Sequence, residues 1–238
     1  MTVIRDQIVL VTGASRGLGK AFVAALLARG AQKVYATARD PQTIAVDEAR
    51  VVPLRLDVTD VASVAAVAAQ VGDLTMLVNN AGILVGASLL TGDLDAVRRE
   101  FETNFYGPLH VTRALAPLIV GNGGGAIVNV HSALSWIALG GSYSATKAAL
   151  WSATNALRLE LAPQHVQVVG LHVGYVDTDM AAAVSAPKMP ASEVVRRALD
   201  GVEAGVLEIL ADETSRQVKA GLSADVAALY PSLGAAAR

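Results

Sequence analysis

The sequence predicts an α/β fold: a single domain, residues 1–238, built on a doubly wound parallel sheet of about seven strands flanked by helices. Three observations predict it. Short β-branched runs alternate with alanine-rich runs of helical length, and strands joined through helices must run parallel. The strand runs IVLV, VVPLRL and VQVVGLHV are mostly apolar throughout, as strands covered on both faces require. Finally, 238 residues that are 53% hydrophobic and only 17% charged supply a sizeable core and exclude a disordered chain.

In order along the chain, the β-branched runs place strands at Ile8–Thr12, Lys33–Ala38, Val51–Leu56, Leu74–Asn79, Gly125–His131, Val166–Val173 and Val206–Ile209. Between them the helical runs are Gly17–Arg29, Val61–Gln70, Leu94–Val120, Ser142–Leu161 and Ser192–Glu203. Gly121–Gly125, GNGGG, is a helix-to-strand turn and too short to separate domains. The tail from Asp212 to Arg238 is weakly patterned.

Composition narrows the function. A net charge of −2 with scattered Lys and Arg gives no pull toward nucleic acid or an anionic membrane. The absence of cysteine excludes disulfides and thiolate metal sites. His110, His131, His165 and His172 are dispersed along the chain without metal-ligand spacing, so no metal is expected. The N-terminus MTVIRDQIVLVTGAS does not read as a signal peptide, and no apolar stretch has the length of a membrane span. A cytoplasmic protein is expected.

VLVTGASRGLGKAF joins a strand to a helix through Gly13, Gly17 and Gly19. Glycines let backbone approach a pyrophosphate, and the helix N-terminus offers free N–H groups with partial positive charge. The lysine and hydroxyl of a nucleoside triphosphate loop are missing. Gly13, Ser15, Arg16, Gly17, Leu18 and Gly19 are therefore candidates for holding a dinucleotide. The end of the second strand, VYATARD, has Thr37 where an acid would accept from a ribose 2′-hydroxyl, with Arg39 two residues on. Arg16 and Arg39 suit a 2′-phosphate through charge-assisted forks, which favours NADP(H) over NAD(H). Asp40 faces solvent or pairs with an arginine on this reading.

Five motifs occur in order: TGASRGLG (Thr12–Gly19), NNAG (Asn79–Gly82), Asn104 in ETNFYG, Ser132 in IVNVHS, and Tyr143-x-x-x-Lys147. From about Asp6 to Met180 the chain resembles the compact short-chain dehydrogenase/reductases, which implies a Rossmann-type sheet and an NAD(P)-dependent oxidoreductase. Matched by position, Tyr143 resembles the family's catalytic acid/base, Lys147 its tuning partner, and Ser132 the serine that holds the substrate oxygen. Asn104 falls at the asparagine that completes a proton relay. Asp57 and Val58 resemble the pair contacting adenine. Asn80, with Ala81 and Gly82, falls where NNAG lines the cofactor, and Val176 and Thr178 resemble the segment gripping the nicotinamide carboxamide. Two departures stand out. Val173-Gly174 replaces Pro-Gly, and the loop from Ser132 to Tyr143 is about two residues short. Ser135 is the alternative serine, and the role of His131 is open.

Residues four apart on a helix lie one turn apart, so Tyr143 and Lys147 are neighbours. A free phenol, with a pKa of about 10, is a poor base near neutrality, and an adjacent ammonium is expected to lower that value. The phenol would then exchange a proton with the oxygen of a ketone or alcohol while Ser132 holds that oxygen, and the Asn104 side chain would carry protons away through a water. Trp136, Tyr175 and Met180 are candidates for lining the substrate pocket. Asp177 and Asp179 are expected to cap a following helix. Ala181–Pro190 would form a brief lid.

The leading reading is an NADP(H)-dependent oxidoreductase interconverting a ketone or aldehyde and a secondary alcohol, acting on a small molecule. Its alternative is a catalytically idle NADP(H)-binding sensor on the same fold. An isomerase or dehydratase is disfavoured by the short stretch after Met180. The many-sided apolar character of Ser142–Leu161 predicts a homodimer or homotetramer.

Overall fold

The computed structural model describes residues 2–45 and 48–232. In chain order its elements are β1 (Ile8–Val11), α1 (Gly17–Ala28), β2 (Lys33–Ala38), β3 (Val51–Arg55), α2 (Val61–Ala68), β4 (Met76–Asn79), α3 (Leu94–Phe101), α4 (Gly107–Gly121), β5 (Gly125–Val130), α5 (Ser142–Leu161), β6 (Val166–His172), β7 (Val176–Asp177), β8 (Met189–Pro190), α6 (Ala191–Glu203), β9 (Glu208–Leu210), α7 (Glu213–Gly221) and α8 (Val226–Leu229). Seven strands form one parallel sheet in the order β3-β2-β1-β4-β5-β6-β9, the Rossmann-type arrangement expected. The short β7 and β8 pair with each other and form the base of the segment read as a lid.

The pleat sends alternate residues to opposite faces, so each strand feeds two cores. Val9, Val11, Met76, Val78, Val128 and Leu171 pack with Phe22, Val23 and Leu26 of α1 and Val195, Leu199 and Val202 of α6. Leu10, Leu77, Ile127 and Val168 face the other way, onto Val64 and Val67 of α2, Leu115 and Ile119 of α4, and Leu161 of α5. This two-sided burial is the reason the strands read as unbroken apolar runs.

The structure departs from the sequence expectation in four places. The helix read as Leu94–Val120 is divided by a five-residue π turn, Glu102–Tyr106. Pro108 has no N–H to offer the Asn104 carbonyl four residues earlier, so the α ladder cannot run through. The adjacent Gly107 is required for close packing, because a Cβ there would lie 2.8 Å from a methyl of Val58. The strands read as Leu74–Asn79 and Val206–Ile209 are displaced to Met76–Asn79 and Glu208–Leu210. The tail left without an element contains α7 and α8. Asp212 and Ser215 form a reciprocal capping box for α7, with Ser215 N–H donating to Asp212 Oδ1 at 2.8 Å.

Two glycine substitutions separate packing from chain flexibility. A Cβ at Gly19 would lie 2.1 Å from the Gly13 carbonyl oxygen, whereas one at Gly72 would meet nothing within 4 Å. Gly19→Ala is expected to cost about 1–3 kcal/mol in urea denaturation through overpacking. Gly72→Ala is expected to leave stability unchanged or raise it by about 0.5 kcal/mol through the unfolded chain.

Candidate active site

The chain runs β1, β2, β3 toward one sheet edge and then returns to β4 beside β1, so the strand order reverses between β1 and β4. Crevices at such reversals, beyond the carboxyl ends of the strands, are where open α/β sheets bind ligands. The Thr12 hydroxyl fixes this one. It accepts the backbone N–H groups of Asn80 and Ala81, each at 2.9 Å, while the Asn80 amide donates back to the carbonyls of Thr12 (2.9 Å) and Gly13 (3.2 Å). The glycine loop and NNAG are thereby bound to each other. A Cβ at Gly13 would lie 3.0 Å from Ala81 Cα, and one at Gly17 would lie 3.2 Å from Thr178. Both glycines have positive φ, 66° and 52°. No side chain caps the first turn of α1, leaving its N–H groups for an anion. A glycine cradle, an uncapped helix end and close-set walls fit the pyrophosphate of a dinucleotide.

A cleft of about 1410 Å³ opens from this point. Gly13, Ser15, Arg16, Gly17, Leu18, Arg39, Asp57, Val58, Asn80, Ala81, Gly82, Val176 and Thr178 line it, together with Ser132, Tyr143 and Lys147. Three expected site residues do not. Thr37 is fully buried and its hydroxyl donates to the Val11 carbonyl at 3.1 Å; its backbone carbonyl accepts from Ala14, and Ala38 occupies the wall in its place. Gly19 serves the close packing of α1 on Gly13 and makes no part of the wall. Asn104 is fully buried, and its side chain is already engaged: Oδ1 accepts from Ile83 N–H at 2.9 Å, and Nδ2 donates to the Ile83 carbonyl (2.9 Å) and Thr146 hydroxyl (3.2 Å). Those three bonds bridge the NNAG loop to α5.

Tyr143 and Lys147 lie on α5 as the spacing requires, but their electrostatics reverse the expectation. Burial raises the Tyr143 hydroxyl above the ordinary phenol range; the Glu100 carboxylate pushes the same way, and only the nearby Ser132 side chain opposes them. Burial lowers Lys147 from 10.5 to about 8, with Glu100 partly offsetting it. The lysine Nζ sits 5.6 Å from the Tyr143 ring centre and donates to the Val130 carbonyl at 2.8 Å. Burial thus disfavours the charged form of each group. Of the two candidate serines, Ser132 lines the cleft, whereas the Ser135 hydroxyl lies behind it, accepting from Ser132 N–H at 3.3 Å.

Other expectations change as well. Trp136 is a packing residue outside the cleft wall: it stacks on His172 at 3.9 Å, which stacks in turn on His131 at 4.7 Å, and Lys219 of α7 lies 4.8 Å from its ring. The two histidines, far apart in sequence, thus share one buried column. His172 Nδ1–H donates to the Ser132 carbonyl at 3.2 Å, supporting that serine from behind. Tyr175 and Met180 do line the cleft. Asp177 and Asp179 cap nothing; Thr178 precedes the short turn at Asp179–Ala181, and Asp179 lies 3.5 Å from Arg16 instead. Asp40 caps the turn at Pro41–Thr43, accepting from Gln42 N–H at 3.0 Å. Thr12, Glu100 and Ser142 escaped the sequence reading. Thr12 opens a recognised motif, but nothing in a polar helical run marks Glu100 as fully buried.

Comparison with known proteins gives the site its context. Residues 7–188 match the model of the short chain dehydrogenase family. An NADPH-dependent 1-acyldihydroxyacetone phosphate reductase of Schizosaccharomyces pombe is 37% identical over 73% of this chain, a match spanning only 61% of that protein. A D-erythrulose reductase of Gallus gallus is 32% identical over 93% of this chain and 95% of its own length. A crystal structure of a short chain dehydrogenase from Burkholderia cenocepacia in complex with NADP superposes with a TM-score of 0.93 at 40% identity, covering 98% of this chain and 99% of that one.

The buried column makes stability fall in acid. Burial holds His172 at about 4, below its ordinary 6.5, and holds His131 well below 6.5. As pH drops from 6.5 toward 4 the unfolded chain takes up protons that the folded chain refuses, so folding weakens across that window. His172 is expected to contribute a loss of about 2 kcal/mol by pH 4.5 in urea denaturation, and His172→Gln is expected to flatten the slope.

Proposed function

Because the chain belongs to the short-chain dehydrogenase/reductase family and is an oxidoreductase, we propose that it interconverts a ketone or aldehyde and an alcohol with NADP(H), Tyr143 serving as the proton donor in reduction. One observation carries this reading: Tyr143 and Ser132 line the same cleft as the glycine loop.

A bound reduced nicotinamide supplies the hydride. The chain's own residues handle the charge and the proton. As negative charge grows on the carbonyl oxygen, the Ser132 hydroxyl holds that atom and the Tyr143 hydroxyl donates to it. A phenol kept protonated by burial is in the state that the donor role in reduction requires. Lys147, held at about 8, changes charge near neutrality and is placed to return a proton to the tyrosine. Leu84, Leu134, Ile137, Leu139, Tyr175 and Met180 line the cleft on segments adjoining NNAG, Ser132, Tyr143 and β7, which suits a carbonyl carried on a largely apolar body.

The NADP(H) preference rests on Arg16 and Arg39. Both are exposed and line the cleft, no acid ends β2, and the Asp40 carboxylate is occupied with its own turn. An NADPH-dependent relative and an NADP-bound structural neighbour are consistent with it. Leu159 of α5, 79% exposed, suits contact with a second copy of the chain in a homodimer or homotetramer.

Tyr143→Phe is expected to fold, bind NADPH and lose about 10²–10⁴ in turnover on a ketone panel followed by NADPH absorbance. Wild-type turnover in that variant would remove Tyr143 from the reaction, and NADPH binding without turnover by the native protein on any carbonyl would favour the sensor reading. Arg39→Glu is expected to raise the NADPH KM by about 10–100-fold while changing the NADH KM far less. Equal effects on both cofactors would refute recognition of a 2′-phosphate.

A further inference from the structure

Glu100, at the last turn of α3, is fully buried, yet nothing in the proposed chemistry uses it. Its Oε1 accepts the backbone N–H groups of Val85 (2.6 Å) and Gly86 (3.3 Å), in the loop that follows NNAG. Its other oxygen, Oε2, accepts from the Ser142 hydroxyl, the first residue of α5. Ser142 is joined to the same loop twice more: its hydroxyl accepts from Ala87 N–H at 2.9 Å, and its own N–H donates to the Ala87 carbonyl at 3.0 Å. Tyr143 is the next residue along α5. No side chain caps the start of that helix, and Gly141 before it has a φ of 55°. The entry angle of the helix is therefore held by this cluster.

We infer that Glu100 is a positioning residue, a buried carboxylate that clamps the Val85–Ala87 loop to the first turn of α5 and so fixes the Tyr143 hydroxyl against the cleft. This rests on the reading of Tyr143 as proton donor. A buried carboxylate without its hydrogen bonds is costly, so the loop and the helix are held together as firmly as the acid needs its three donors. The same charge also bears on the reaction. The ionisable groups it disfavours or favours are both on α5: it opposes the phenolate of Tyr143 and supports the ammonium of Lys147. The clamp and the field act from one residue, and two readouts separate them.

The test uses the full chain and the variants Glu100→Gln, Glu100→Asp and Ser142→Ala. The first readout needs no turnover: amide hydrogen exchange at Val85 and Gly86, with and without NADP⁺. Glu100→Gln is expected to speed it by about tenfold while amides of β4 and β5 stay unchanged. The second is the pH profile of ketone reduction. Removing the carboxylate takes away a charge that opposes phenolate, so the alkaline limb is expected to move to lower pH in Glu100→Gln and to stay in place in Glu100→Asp, with a raised substrate KM in both. Should Glu100→Gln fail to fold, Ser142→Ala is expected to show the faster exchange and raised KM alone. Wild-type exchange together with an unmoved limb would overturn the inference. Tyr143→Phe distinguishes the two levels: if that variant is inactive while Glu100→Gln behaves as wild type, only the role of Glu100 fails; if Tyr143→Phe keeps its turnover, the proposed chemistry fails first.

Discussion

The rest of the structure depends on one threonine hydroxyl. Thr12 accepts two backbone N–H groups from the neighbouring strand's exit, and the Asn80 amide answers onto the carbonyls of Thr12 and Gly13. These bonds lie where the sheet reverses its winding, so they set how far apart the two halves stand. The approach is close enough that a Cβ at Gly13 would lie 3.0 Å from Ala81 Cα, at a backbone φ of 66° that favours glycine. The uncapped end of α1 then faces the opening that this spacing leaves. A motif that reads as glycine chemistry in the sequence is, in the fold, equally a hydroxyl clamp.

On the substrate side the governing quantity is desolvation. Tyrosine and lysine one turn apart suggest mutual tuning by charge, and in water that attraction would dominate. In the interior, loss of hydration acts on each group separately and disfavours both charges. The outcome is a neutral phenol beside an amine at about 8. Glu100 reinforces the first effect, keeping the proton on tyrosine, and partly offsets the second, from a position that also orders the backbone around it.

What could be read from the sequence follows from the kind of physics involved. Seven strands, the switch-point loop and the order of the motifs were legible because burial on two faces and glycine-dependent turns leave local patterns. Thr37 was misplaced because alternation along β2 decides which residue faces the cleft, and a parallel strand that is apolar on both faces hides its phase. The π turn was missed although Gly107-Pro108 stood in the middle of the helical run. Trp136, His131, His172 and Lys219 form one stack from three distant segments, and spacing along the chain carries no trace of such a contact. The histidines looked scattered for the same reason.

The bond between Gly174 N–H and Asp212 Oδ2, at 2.7 Å, ties the loop beyond β6 to the start of α7. A Cβ there would fall 2.8 Å from the same carboxylate oxygen, so any larger residue would have to displace the anchoring side chain. That loop carries the cleft wall from Tyr175 to Thr178, and its anchor comes from a residue 38 positions downstream. The wall opposite the glycine loop is therefore tethered only where α7 is in place, so loosening α7 would open the crevice without touching either motif that lines its dinucleotide side.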